Sequence, residues 1–173
     1  LQSALTTARL TLRVPRLSDK GLLDMHAGDA RVATMTTTIP HPLPPGSSDA
    51  FIARANTSGR EEDVWILDGS EHGMPEVIGA MSLTRLDSNQ SEIGYWMAPA
   101  FWGLGYAREA LGALVAENPQ NVRTYFGSVF QDNPASARVL THCGFVYLGD
   151  AEAYSVARGA TVPTWTYLRQ LNT

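Results

Sequence analysis

A chain of 173 residues, 44% hydrophobic and 17% charged, has the length and apolar content of one packed core and is too apolar for a disordered segment. Its net charge is −4, only Lys20 among thirteen basic residues is a lysine, and no basic block occurs, so nucleic acid is excluded as an expected partner. No apolar run nears the roughly 18 residues of a membrane helix, the lone Cys143 can make neither an internal disulfide nor by itself a zinc site, and no secretory apolar segment opens the chain, which makes a cytoplasmic location and no metal the expectation.

Taken in chain order, Arg9–Val14 alternates polar and apolar as a half-buried strand does, and Pro15 ends it. Ser18 or Asp19 then caps a short helix carrying Leu22, Leu23 and Met25. Pro40, Pro42, Pro44 and Pro45 make residues 36–48 a loop of restricted freedom, after which Ser47 or Ser48 caps a second helix. Strands follow at Val64–Leu67, Val77–Leu83 and Glu92–Met97, the last stopped by Pro99. Beyond Gly105 the pairs Ala110/Leu111 and Leu114/Val115 recur at helical spacing until Asn118-Pro119. Val122–Phe130 is a strand. Asn133-Pro134 opens the next helix with Asn at the N-cap and Pro in the first turn. Gly144 closes it, with Phe145 placed to pack back on Leu140. Two strands near Phe145–Tyr154 and Val162–Leu168 finish the chain. No repeat or linker divides residues 1–173, which read as a single domain with a mixed sheet and helices packed on it.

The chemistry concentrates in residues 92–110. A strand runs through Trp102-Gly103-Leu104-Gly105-Tyr106-Ala107 into a helix, so free backbone N–H groups and the positive helix end converge on one point. Such a point binds phosphate or pyrophosphate, and its glycines admit close approach. A dinucleotide fingerprint needs a third glycine where Arg108 stands, and a P-loop needs a lysine that is absent, so both nucleotide readings fail. An ordinary strand–turn–helix link remains open on these residues alone. Further along comes Asp132-Asn133-Pro134-Ala135-Ser136-Ala137-Arg138-Val139-Leu140.

Glu-Ile-Gly-Tyr-Trp at 92–96, Trp-Gly-x-Gly-Tyr-Ala at 102–107 and Asn-Pro-Ala-Ser-x-Arg-Val-Leu at 133–140, in this order, resemble the GNAT acetyltransferase superfamily. Together with Thr7–Arg13 they resemble its branch of ribosomal-protein alanine N-acetyltransferases, and the resemblance spans essentially the whole chain. It implies a central, mixed, mostly antiparallel sheet of about seven strands with about four helices and two splayed central strands. It further implies acetyl-CoA as co-substrate, with the amides of Gly103, Leu104, Gly105, Tyr106 and Ala107 on its pyrophosphate. The pantetheine arm would lie between the strands near Met97 and touch Asn133, whose plain N-cap reading stays open. Homodimers are frequent in families of this kind.

Two departures matter. Ala100 stands where the family often has Gln or Arg, so Arg108 is the substitute phosphate partner. Leu140 stands where many relatives keep a thiolate-protonating Tyr, so the resemblance passes that role to Ser136; a plain first-turn Ser is the alternative. Glu92 is the candidate base, through water, or else a solvated strand carboxylate. A free α-amine near pKa 8 needs little help from it. His41 is the candidate acceptor contact. The expected reaction is direct acetyl transfer to a primary amine, on a protein N-terminus or a small molecule. An inactive acyl-CoA-binding sensor is the rival.

Overall fold

Alternating strands and amphipathic helices assemble around one sheet in the computed structural model, which describes residues 2–171. Its strands are β1 (Leu5–Thr6), β2 (Thr11–Arg13), β3 (Glu62–Asp68), β4 (Gly79–Asp87), β5 (Gln90–Met97), β6 (Thr124–Phe130), β7 (Val146–Ser155) and β8 (Ala160–Gln170). They lie in the order β1-β2-β3-β4-β5-β6-β8-β7, and every pairing is antiparallel except β5 with β6. The helices are α1 (Lys20–Ala27), α2 (Ala30–Ala33), α3 (Ser47–Ala55), α4 (Tyr106–Glu117) and α5 (Pro134–His142). Among the described residues this is one strand and one helix more than the sequence predicts. The additions, β1 and α2, are two and four residues long, too short to leave a period in the sequence.

Two helix starts differ from expectation. Gly46, at φ 84°, holds the N-cap of α3, while Ser47 turns its hydroxyl back to the Pro44 carbonyl at 2.6 Å. Asp19 is the N-cap residue of α1 but makes no capping bond, because Arg13 and the Arg16 amide take its carboxylate. The end of α5 is as read from sequence. The Gly144 amide bonds the Thr141 carbonyl and the Phe145 amide bonds the Leu140 carbonyl, each at 3.1 Å, with Gly144 at φ 83°.

Period-two alternation sends β5 side chains to two faces. Ile93 and Met97 join Leu83, Leu111 and Leu140 in the main core under α4 and α5. Trp96 packs on the opposite face with Leu23, Ile52 and Ile66, beneath α1 and α3. Glu92 and Gly94 share the Trp96 face.

Candidate active site

The sheet forks at its one parallel pairing. β5 and β6 are paired from Gln90/Thr124 to Ile93/Gly127 and no further. Beyond that rung β5 stays on β4 as far as Met97, and β6 stays on β8 as far as Phe130. Each strand is held on its outer side, so the inner backbone edges of 94–97 and 128–130 separate. Backbone amides and carbonyls in a protein interior are almost always paired. An open double edge of this kind suits an extended, amide-bearing ligand that hydrogen-bonds as a strand would.

One end of the fork carries the glycine turn. Gly103 and Gly105 sit at φ 74° and 83°, conformations that side chains with a Cβ rarely adopt, and Gly105 is the N-cap of α4. The amides of Tyr106, Ala107 and Arg108 follow as the first three of the helix, which have no intrahelical acceptor. Trp102 is about half exposed rather than in the core, and its indole N–H donates to the Met97 carbonyl at 2.7 Å, fastening the turn to the end of β5. Ala100 is exposed and carries no charge here, but two guanidinium groups stand close. A Cβ at Gly105 would lie 3.4 Å from Arg9 Nη2 and 3.8 Å from Arg108 Nη2. Arg9 lies 4.0 Å over the Tyr106 ring and pairs with Glu109 at 2.8 Å, and Glu109 also accepts from Thr7. Arg108 rests 3.1 Å from His142 Nε2. The sequence does not mark Arg9 as a site residue, because its place depends on a contact 100 residues away.

On the α5 side of the fork, Asn133 holds the N-cap position of α5, yet its side chain makes no capping bond. Ser136, half-buried in the first turn, meets the Tyr95 hydroxyl at 2.6 Å. Burial, eased by that hydrogen bond, pushes the Tyr95 phenol up to about 12. Leu140 is fully buried, and a Cβ on Gly127 would press within 3.1 Å of its methyl groups, so this position is apolar by packing. Cys143 is buried at the far end of α5, and burial pushes its thiol up, as for an inert side chain.

Glu92 lies one rung before the fork opens and faces the other side of the sheet from Ser136 and Tyr95. It is solvent-accessible, and partial desolvation raises its carboxyl above the ordinary value of 4.5. The sequence names Glu92 and Ser136 but contains nothing that makes them two sides of one opening.

The Pro-rich loop reaches the fork on its outer rim. It joins α2 to α3 rather than the first helix to the second. Its Thr37 carbonyl accepts the Val156 amide, and the Thr34 carbonyl accepts from Arg158 Nε at 2.8 Å. Arg158, in the β7–β8 turn, also grips Asp132 at 2.6 and 3.1 Å and lies 4.7 Å over Phe130. Asp132 immediately precedes Asn133, so the loop is tied to the open end of the fork. His41 is exposed within it. Among the described residues, no group of three or more His, Cys, Asp or Glu side chains is arranged to hold a metal ion, and no helix is long and apolar enough to cross a membrane.

Residues 9–146 match the model of the GNAT acetyltransferase domain, and the chain belongs to that family. It is an N-acyltransferase that uses acetyl-CoA as its acyl donor and an amine as acceptor. It is 26% identical to a Bacillus licheniformis protein named uncharacterized N-acetyltransferase p20, over 94% of this chain and 93% of that one. Solved structures of acetyltransferases share its fold, among them the following two. RimL, a ribosomal L7/L12 α-N-protein acetyltransferase in complex with coenzyme A, superposes with a TM-score of 0.82 at 17% identity, covering 98% of each chain. MccE, a microcin C7 self-immunity acetyltransferase in complex with acetyl-CoA and AMP, superposes with a TM-score of 0.81 at 17% identity, covering 95% of this chain and 93% of its own.

Proposed function

We propose that residues 1–173 act as one domain that transfers acetyl from acetyl-CoA directly to a primary amine entering from the Glu92 face of the fork. The observation that carries this reading is the fork itself, with amide donors at its mouth and a carboxylate and a hydroxyl on its two faces. The amides of Gly103–Ala107 hold the pyrophosphate, and Arg9 and Arg108 supply the charge that Ala100 lacks. Pantetheine occupies the open edges past Ile93 and Gly127, toward Met97, with the uncapped Asn133 side chain free to meet it. Ser136 stands beside the thioester sulfur as leaving-group donor. Glu92 takes the acceptor's proton through water.

The acceptor we propose is an exposed α-amino group, as RimL's name gives for that protein, rather than a small polyamine. An α-amine near pKa 8 fits a site whose candidate base is the accessible carboxylate of Glu92, whereas a lysine-like amine near 10.4 asks for more. A panel of N-terminal peptides and small amines, followed by thiol release from acetyl-CoA, tests it. Turnover confined to small amines overturns the acceptor, and no turnover with any amine favours the sensor reading.

Glu92→Gln is expected to lower kcat/KM roughly tenfold, less than the roughly 10²-fold or more usual for a general base, because the amine is only weakly basic. The sign with pH follows from the raised carboxyl. Glu92 is an effective base only above its own pKa, so the wild-type rate falls as pH drops through that value, while the Gln variant loses this arm. Equal acid arms in the two proteins overturn the assignment.

Replacing residues 40–45 by Gly and Ser is expected to raise the acceptor KM several-fold with acetyl-CoA affinity unchanged, since the prolines spare the ordering entropy of the rim. Steady-state kinetics with each substrate varied in turn reads this. A loss confined to acetyl-CoA would move the loop to the donor side.

A further inference from the structure

Tyr95 packs its ring against the main core, yet its hydroxyl spans the fork. It sits on β5 past the last β5–β6 rung and reaches α5, which follows β6, across a separation of 41 residues. Two acceptors lie within its reach, Ser136 Oγ at 2.6 Å and the Ser136 carbonyl at 3.1 Å. That carbonyl already serves the amide one turn on, at Leu140, as any carbonyl at this point of a helix does. The contact to Oγ is the shorter of the two and can run in either direction; donation by the phenol is the direction that leaves the Ser136 proton free.

We propose that Tyr95 is the positioning residue of the leaving-group donor: its hydroxyl donates to Ser136 Oγ, which leaves the Ser136 proton as the free donor aimed at the thioester sulfur. This rests on the reading of Ser136 given above. A serine hydroxyl is much less acidic than a thiol of pKa about 8.5, so it does not surrender its proton downhill to a thiolate. Its part is to stabilise charge as it grows on sulfur. When the tetrahedral intermediate collapses, the C–S bond breaks and its electron pair passes to sulfur. The thiolate is met by the Ser136 hydrogen bond and takes its proton from solvent on release. The proton lost by the acceptor nitrogen leaves on the Glu92 side, which closes the balance.

Donation into Oγ polarises the Ser136 hydroxyl and makes it a stronger donor, an effect of roughly 10–30% per bond in a chain. It also fixes one rotamer of a side chain that otherwise has three. Because burial holds the phenol near 12, Tyr95 remains protonated across the working range and the arrangement does not switch with pH. A tyrosine from β5 thus meets, through Ser136, the need created where Leu140 cannot donate.

The test is a double-mutant cycle in the full chain. Tyr95→Phe keeps the ring and removes only the hydroxyl; it is expected to lower kcat about tenfold with KM and Kd for acetyl-CoA within twofold of wild type. Ser136→Ala is expected to lose as much or more, on the order of 10²-fold, and the double variant no more than Ser136→Ala alone, since the two side chains act as one unit. As a check independent of the Phe variant, 3-fluorotyrosine at position 95 keeps the ring and strengthens the donor, and at least half of wild-type kcat is expected. Failure of that protein to reach half overturns the proposal. A Tyr95→Phe kcat within twofold of wild type beside a slow Ser136→Ala overturns the role of Tyr95 and leaves Ser136 in place. Wild-type rates in both single variants overturn the reading of Ser136 and the proposal with it. Additive losses accompanied by weaker acetyl-CoA binding make the contact a structural clasp across the fork, which also overturns it.

Discussion

Gly105→Pro is expected to weaken acetyl-CoA binding on the order of 100-fold in a protein that still folds. Two independent causes act at this position. Proline removes the amide that the turn offers to phosphate, and hydrogen bonds to charged groups contribute about 1.5–3 kcal/mol each, or roughly one to two decades of affinity. Proline also fixes φ near −65°, whereas Gly105 sits at 83° as the N-cap of α4. The turn must then re-form, carrying the amides of Tyr106 and Ala107 away from their common point. Gly105→Ala separates the causes: it keeps the amide, meets Arg9 Nη2 only at 3.4 Å, and bears the cost of a left-handed Cβ, about 1–2 kcal/mol. Titration calorimetry with CoA should therefore rank wild type, Ala and Pro in falling affinity. Affinity unchanged in the Pro variant would remove this turn from the cofactor site.

Local signals in the sequence carry more of this fold than of its site. The Asn133-Pro134 start, the Gly144 stop and the glycine turn before α4 each depend on neighbours within a few residues, and all three fall where the sequence puts them, although Asn133 makes no capping bond. The family motifs carry further, because they fix which strands part. What escaped is tertiary. Tyr95 and Ser136 are 41 residues apart, and Arg9 and Glu109 are 100 apart, so no period or spacing joins them. Trp102 likewise turns outward, about half exposed, with its indole N–H on the Met97 carbonyl. The capping role of Ser47 failed for a related reason: the proline-shaped backbone brings the Pro44 carbonyl within 2.6 Å of its hydroxyl before the helix amides can use it. The same sheet that separates the Glu92 and Ser136 side chains by face brings both within a few rungs of the fork. Strand alternation gives the faces, but only the end of β5–β6 pairing at Ile93/Gly127 makes them two sides of one opening.

The framework that holds β2 against the start of α1 depends on one cation, and Arg13→Met is expected to destabilise the fold by about 3–5 kcal/mol. Arg13 Nε meets Asp68 at 2.8 Å, while Nη2 and Nη1 meet Asp19 at 2.8 and 2.9 Å. The Asp19 side chain is 0% exposed and that of Asp68 8%, so removing the guanidinium leaves two carboxylates with little water to replace it. Arg16 lies 3.8 Å from Asp19 and 4.0 Å from Asp68 on an exposed arm, too loosely to substitute. For a chain of this length the loss corresponds to a Tm lower by roughly 10 °C. The pH dependence carries the diagnosis. At Asp68 burial alone would raise the carboxyl, but hydrogen bonds from Arg13 and from the Ser70 amide bring it below 3.8. In the wild type this contributes stability that is present above 3.8 and lost as pH falls through the depressed folded value. Without Arg13 only the hydrogen bonds from Ser70 oppose the burial penalty, so the folded pKa rises from its depressed position and the variant loses less stability than the wild type as pH falls. The gap between the two proteins should therefore narrow from pH 7 to pH 4 in urea unfolding. A gap that stays constant would mean that Arg13 acts through the packing of its aliphatic stem and not through the charges it neutralises.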